Sequence, residues 1–409
     1  MKATVSTANA EGKSVTVRYA SIDVFRGLTM AVMIFVNDLD GVRGLPWWTH
    51  HAKAEVDVMT YVDMVFPFFL FVLGLSMPIA IAQRLKKNAS VSLLWLHVLE
   101  RSGSLIVLGL ILANVELADS SLMGIDRNAW AILALLGSAI FLYVPLQGSR
   151  QGKSYLWLRV AGAVLTIAMF VIFRRVSPGG HVGWIDGSYP EILGLLGYTY
   201  LAVALLYIPT RCWTSAPMIW FVLVLAFSVC CASKWIVFPR SVPLYFWPFG
   251  DGTMIFVAMA GVVTAVLLFG ELRWKKQRER LMIAFGFALA TIIAAKLLTP
   301  LGISKIRDTP TWGLYSVGAA VLLIATLYWI CDLKKQTTWA AFFRPAGSNT
   351  LLTYLLPDFY YFISWLVGFE YFATHFNSGW PGVLRSALFT VLILAIAGVL
   401  TRLKVRLQL

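Results

Sequence analysis

Charge is scarce in this chain. Only 13% of its 409 residues are Asp, Glu, Lys or Arg, about half of the ~25% found in a typical soluble domain, which excludes an ordinary solvated surface. Cysteine is scarce too. Its four residues, Cys212, Cys230, Cys231 and Cys331, lack the spacing of a disulfide framework or a metal site and read as small apolar packing residues. The histidines form no His-x-x-x-His pair, and adjacent histidines such as His50 and His51 rarely point at one ion, so no metal is expected. There is no linker long enough to separate two soluble domains and no fixed-period repeat. Residues 1–20 contain no apolar run of the kind a cleaved signal peptide needs, so the first span is expected to act as the insertion signal. The period-two alternation of a transmembrane barrel is missing as well.

What the chain has in abundance is apolar sequence, 59% by residue with a mean hydropathy of +0.76. Stretches of about 18 or more apolar residues, each able to cross a ~30 Å hydrocarbon core as a helix, recur from end to end. The expectation is an all-α polytopic membrane protein with about 11–12 transmembrane helices. A polar segment, 1–20, precedes a single membrane domain over 21–409. The expected spans are Ile22–Leu39, Met59–Ala82, Leu93–Asn114, Ala129–Leu146, Tyr155–Phe173, Ile192–Ile208, Pro217–Phe238, Thr253–Phe269, Leu281–Leu301, Trp312–Asp332, Thr350–Leu366 and Pro381–Leu403. Cations gather at the termini (Lys2, Lys13, Arg18, Arg402, Lys404, Arg406) and in alternate loops, for example at Arg84, Lys86, Lys87, Arg150, Arg211, Arg273, Lys275 and Arg344. The positive-inside rule then puts both termini in the cytoplasm and the loop after the first span outside it. The net charge of +14 is therefore a topology signal. A nucleic-acid surface is the poorer reading, because no soluble basic domain exists to carry one.

The most unusual stretch is Ser21–Gly74. Two apolar spans flank a loop holding Asp38, Asp40, His50, His51, Glu55 and Asp57, and Asp23, Arg26, Asn37 and Asp63 sit within the spans. A charge at membrane depth costs at least a few kcal/mol and usually marks function. A neutral imidazole can take a proton from an attacking amine or hydroxyl, or attack an acyl group itself. A carboxylate beside it would fix its tautomer, and an amide such as that of Asn37 could donate to an oxyanion. The competing reading makes His51 an idle loop residue and Asp23, Arg26 and Asp63 a packing network. Three later segments, Trp247–Gly252 with Asp251, Ile303–Trp312 with Lys305, and Phe369–Trp380, fall at the same ends of their spans. With the first loop they would roof a polar-substrate site, although each alone reads as an interfacial turn. At the cytoplasmic ends, Ser348 and Asn349 open a span as helix caps, where a helix N-terminus favours an anion. Arg84, Arg101 and Arg344 would add charge there.

Taken together, S-x-D-x-F-R-G (Ser21–Gly27), F-V-N (Phe35–Asn37), H-A (His51–Ala52) and D-x-V-F-P-x-F-x-F-x-x-G (Asp63–Gly74) resemble heparan-α-glucosaminide N-acetyltransferase and its bacterial relatives. Weaker matches follow in order: Arg101 with Leu108–Asn114, Pro248–Asp251, Lys305–Trp312 and Gly347–Asn349. The resemblance implies a transmembrane acetyltransferase in a bacterial inner membrane, with a homodimer as its expected assembly, that uses cytosolic acetyl-CoA to acetylate a glucosamine-type amine on the periplasmic side. A long luminal N-terminal region like that of the lysosomal enzyme is not expected, which would fit a bacterial version. His51 and Asn37 take the catalytic positions, with Asp23, Arg26 and Asp63 as the supporting network. Asp38, Asp57, Asp251, Lys305 and Trp312 are the expected acceptor-side residues, and Arg101, Arg344, Ser348 and Asn349 the expected donor-side ones. The interval from His51 to Asp63 is slightly longer than in the lysosomal enzyme, which leaves His50 as the alternative to His51. Two mechanisms stay open, an acetyl-His intermediate and direct transfer, and direct transfer is preferred. A sugar transporter with Asp23, Arg26 and Asp63 as a proton relay is the alternative function, although the internal repeats common in transporters are not evident.

Overall fold

The computed structural model describes residues 18–88, 90–143, 153–177, 179–237, 242–270 and 276–407. Lys2, Lys13, Arg150, Arg273, Lys275, the first seventeen residues of the polar segment and the expected span ends at Leu146 and Phe238 lie outside them. Twelve long helices run through the described residues: α1 (Ala20–Leu39), α2 (Val65–Lys87), α3 (Val91–Asn114), α4 (Arg127–Leu142), α5 (Lys153–Ile172), α6 (Glu191–Thr210), α7 (Ala216–Ala232), α8 (Thr253–Phe269), α9 (Gln277–Leu297), α10 (Pro310–Leu327), α11 (Thr350–Leu366) and α12 (Gly379–Arg402). Each falls on one of the expected spans. Among the described residues, eight apolar helical segments are long enough to cross a membrane on length and composition, and α4, α7 and α8 are shorter apolar helices. A two-stranded hairpin, Arg175–Val176 with Val182–Gly183, is the single sheet among the described residues. This is an all-α polytopic membrane protein.

The second span differs from expectation. Helix α2 begins at Val65, after a 3-10 turn at Val62–Met64, and not at Met59. Asp63 accounts for the delay, because its carboxylate accepts the Thr60 N–H (2.9 Å) and that of Ala52 (3.3 Å), which holds the preceding chain in a loop. Helix α1 has no capping side chain of its own. Asp332, in the π-helical turn Tyr328–Leu333 that extends α10, accepts the N–H groups of Ala20 (2.9 Å) and Ser21 (3.1 Å). A carboxylate there satisfies orphan donors and complements the helix dipole.

Close backbone approaches set the helix crossings. A Cβ at Gly74 of α2 would lie 1.8 Å from the Ala258 carbonyl oxygen of α8, and one at Gly261 of α8 would lie 2.0 Å from that of Phe71. Likewise Gly27 of α1 abuts the Phe343 carbonyl, and Gly347, in the short helix Arg344–Ser348, abuts that of Asp23. Small residues at crossings are the membrane solution to packing, since lipid gives helices no hydrophobic reason to associate. Helix α8 is the most enclosed, with Ile255 through Val263 all buried.

Candidate functional site

The loop between α1 and α2 folds back so that His51 meets Asp63. His51 Nδ1 lies 2.7 Å from Asp63 Oδ1. The carboxylate is almost wholly buried (1% exposed), while the imidazole is 38% exposed. Thr60 adds its hydroxyl to the donors on Asp63 Oδ2 (3.3 Å), and the Asp63 carbonyl accepts the indole N–H of Trp312 (3.0 Å). An ionised carboxylate only accepts, so His51 carries its proton on Nδ1 and leaves the Nε2 lone pair outward. The Lys305 Nζ lies 3.3 Å from that Nε2. Burial holds the Lys305 ammonium below its usual range, against the opposing pull of Asp63, Glu191 and Asp40.

His50 does not share this arrangement. Its Nδ1 meets the Thr49 hydroxyl (2.8 Å), and its Nε2 lies 3.2 Å from the Val42 carbonyl oxygen. Of the two adjacent histidines, His51 alone contacts a carboxylate. The segment carrying Lys305 is tied to the same loop through Asp57, which pairs with Arg307 and accepts the Ile303 N–H (3.2 Å). The Arg307 hydrogen bond, then that of Ile303, hold the Asp57 carboxyl below the usual carboxylate range.

The other expected acceptor-side residues are placed differently. Trp312 is 1% exposed and sits under Asp63 as a support, with no face left for a sugar. Asp38 is occupied by the chain itself, accepting the Tyr361 hydroxyl (2.6 Å) and pairing with Arg385 (3.1 Å). Tyr361 and Arg385 carry no motif in the sequence, and only the fold reveals them as partners of Asp38. Asp251 hydrogen-bonds the carboxyl of Asp308, which burial and then the Asp251 charge push well above the usual carboxylate range, and its Oδ1 accepts the Thr253 N–H (3.0 Å). Asn37 is exposed at the last turn of α1 and makes no side-chain hydrogen bond to other described residues. The Phe369–Trp380 segment pairs with the loop after α1: the Arg43 N–H donates to the Asn377 carbonyl (2.7 Å), and the Gly379 N–H donates to that of Arg43 (2.9 Å).

The opposite ends of α1 and α2 open a second site. A cavity of about 590 Å³ is lined by Arg18, Arg26, Arg84, Arg101 and Arg406, with Asp23 the one carboxylate in its wall. Met30, Phe69, Leu73, Leu193 and Leu196 form its apolar part. Arg18 donates to Asp23 (2.5 Å), Arg26 to Ser76, and the Arg101 guanidinium stacks on Tyr200 at 4.6 Å. The Arg101 Nε is buried without a hydrogen-bond partner among the described residues. Five guanidinium groups against one carboxylate favour a polyanion such as phosphate.

The expected donor-side residues divide here. Arg101 and Ser348 line the cavity, whereas Arg344 is exposed and absent from its wall. Asn349 is a clamp. Its amide donates to Val405 O (2.8 Å) and the Thr401 hydroxyl (3.2 Å), and its oxygen accepts the Leu407 N–H (3.3 Å). The clamp brings the C-terminal Arg406 and Leu407 to the cavity. Tyr354, also in the wall, donates its hydroxyl to Glu191 (3.3 Å), whose charge in turn acts on Lys305. Asp23, Arg26 and Asp63 therefore do not form one network. Asp23 and Arg26 belong to the arginine cavity and Asp63 to the histidine site, separated by most of α1, about 20 Å at ~1.5 Å per residue. A proton relay through all three loses its physical basis.

A family model described as a domain of unknown function, DUF5009, matches residues 18–236, more than half of the 409-residue chain. The chain belongs to the DUF5009 family. The matched part of this DUF5009 protein contains His51, Asp63, Arg101 and Glu191 but not Lys305, Trp312 or Asn349. Among curated proteins, the chain is 30% identical over 130 residues to heparan-alpha-glucosaminide N-acetyltransferase of Homo sapiens, and 29% identical over 130 residues to that of Mus musculus. Each match covers 32% of this chain and 19% of the relative, so the chain spans about a fifth of the length of the curated relatives it matches.

Proposed function

We propose that this DUF5009 protein is a transmembrane N-acetyltransferase. On this reading it accepts acetyl-CoA at the arginine cavity and delivers the acetyl group at His51 to the amine of a glucosamine-type sugar. One observation carries the reading: a carboxylate-oriented imidazole stands at one end of the bundle and a five-guanidinium cavity at the other. The names of the human and mouse relatives support the class of reaction and acceptor. The charge bias of the loops supports an orientation with the arginine cavity in the cytoplasm and His51 on the periplasmic face.

In the proposed reaction the phosphates of the donor lie against Arg18, Arg84, Arg101 and Arg406, and the unpartnered Arg101 Nε gains an acceptor. The acyl arm follows the apolar wall past Tyr354 towards the histidine site. The acceptor amine attacks the thioester carbonyl carbon while His51 Nε2 takes its proton, and Asp63 stabilises the imidazolium. The C–S bond then breaks and the thiolate recovers the proton. Asn37, with its amide unengaged, is the candidate donor to the oxyanion. Direct transfer is the preferred route, since an acetyl-imidazole 38% exposed would face hydrolysis.

The test is transfer of labelled acetyl from acetyl-CoA to glucosamine by the purified chain. His51→Ala should abolish it and His50→Ala should retain it. No transfer to any amino sugar by the intact chain, or full transfer by His51→Ala, would sink the reading.

A further inference from the structure

Resting on the acetyl-transfer reading, we propose that Lys305 is itself an acceptor, so that the charged protein acetylates its own Lys305 when no sugar amine is present. A primary amine held 3.3 Å from His51 Nε2 occupies the place that a general base requires of the acceptor nitrogen. His51 Nδ1 is committed to Asp63, so Nε2 is the nitrogen free to act. The loop that presents Lys305 is held on both flanks. Asp57 pairs with Arg307 and takes the Ile303 N–H, while the Ser304 N–H donates to the Thr309 hydroxyl (3.0 Å). Burial also favours the uncharged amine, which is the nucleophilic form.

The chemistry balances without another reactant. The Nζ lone pair attacks the thioester carbonyl carbon, the C–N bond forms, and the Nζ proton passes to Nε2. The C–S bond breaks, and the departing CoA sulfur takes that proton, leaving Nε-acetyl-Lys305 and CoA thiol. The product is a stable amide that fills the slot an incoming amine needs. Self-modification would then be a brake that sugar acceptors keep from being set, by competing for the same acetyl group.

The experiment incubates the purified full chain with acetyl-CoA, with and without glucosamine, and follows acetylation of individual lysines by peptide mass spectrometry. The exposed Lys53 and Lys335 report uncatalysed background. The expected result is early labelling of Lys305 at least about a hundredfold above Lys53 and Lys335, the low end of acid–base catalysis. The label should resist hydroxylamine, as an amide does and an acetyl-imidazole does not, and should fall when glucosamine is added. His51→Ala and, as a second variant, Asp63→Asn should return Lys305 to background in protein that remains monodisperse. Labelling of Lys305 no greater than that of Lys53, or equal in His51→Ala, overturns the inference. If glucosamine is acetylated in the same tube while Lys305 stays at background, self-acetylation falls and the transferase reading stands. If neither is labelled, both fall.

Discussion

Replacing Asp63 by Asn tests the histidine site with the least change of shape. The carboxylate accepts four hydrogen bonds, from His51 Nδ1 (2.7 Å), the Thr60 N–H (2.9 Å), the Ala52 N–H (3.3 Å) and the Thr60 hydroxyl (3.3 Å). An amide keeps one acceptor oxygen and turns the other into an NH₂ donor. If the NH₂ faces Oδ2's partners, it opposes two backbone N–H groups in a buried pocket, a loss of about 1–3 kcal/mol per unsatisfied group. Turned the other way, it donates to Nδ1, forces the proton onto Nε2 and removes the base. The second arrangement avoids the backbone clash and should prevail. Asp63→Asn should therefore lower kcat by roughly 10²–10⁴, the range of a lost or mis-set general base. CoA affinity should change little, since the arginine cavity lies at the other end of α1. The assay is steady-state acetyl transfer, with CoA binding by calorimetry as the check on folding. A variant that keeps more than about a third of wild-type kcat would refute the idea that Asp63 sets the tautomer on which catalysis depends.

Arg101→Gln should weaken CoA binding by about 1.5–3 kcal/mol, the worth of one charge-assisted hydrogen bond, or roughly 10- to 150-fold in Kd, and an unchanged Kd would remove Arg101 from the donor site. Gly74→Ala places a methyl 1.8 Å from the Ala258 carbonyl oxygen and should cost about 1–3 kcal/mol or more, seen as loss of monodisperse protein. Gly286→Ala, with no atom near its Cβ, should leave the protein intact or slightly more stable. The raised Asp308 carboxyl binds its proton more tightly in the folded state than in the unfolded one. Its contribution is thus fully present below the ordinary carboxylate range, about 4, and is lost as pH rises through the folded value. Asp308→Asn should flatten the fall of melting temperature across that interval, and an unaltered slope would show that another group is responsible.

The helices were plain in the sequence because apolar length alone specifies a membrane span. The boundaries were less so: the late start of α2 depends on a carboxylate drawing backbone N–H groups to itself, which no hydropathy profile registers. That His51 contacts Asp63 and His50 does not is local geometry, which no pattern in the sequence carries. Asp63 stood out as a charge beside an apolar run, yet its separation from Asp23 and Arg26 follows only from counting helical rise. Trp312 and Asp38 misled for a common reason. Residue type suggests what a side chain is able to bind, but their hydrogen bonds are already spent on Asp63, Tyr361 and Arg385. In the sequence Asn349 reads as a helix cap, and its role in tying down the C-terminal tail is invisible without residues 401–407 beside it.

The contact between Tyr354 and Glu191 bears on the cell as a whole. Along the proposed acyl path a phenol and a carboxylate in contact would stand in for part of the ~30 Å of lipid that otherwise insulates the membrane. Each passage of an acyl group would part them, and each passage would be an opportunity for ions to follow. Selection on such an enzyme would act on how briefly that contact opens as much as on how fast the amide forms. A low turnover number would then measure the tightness of the seal.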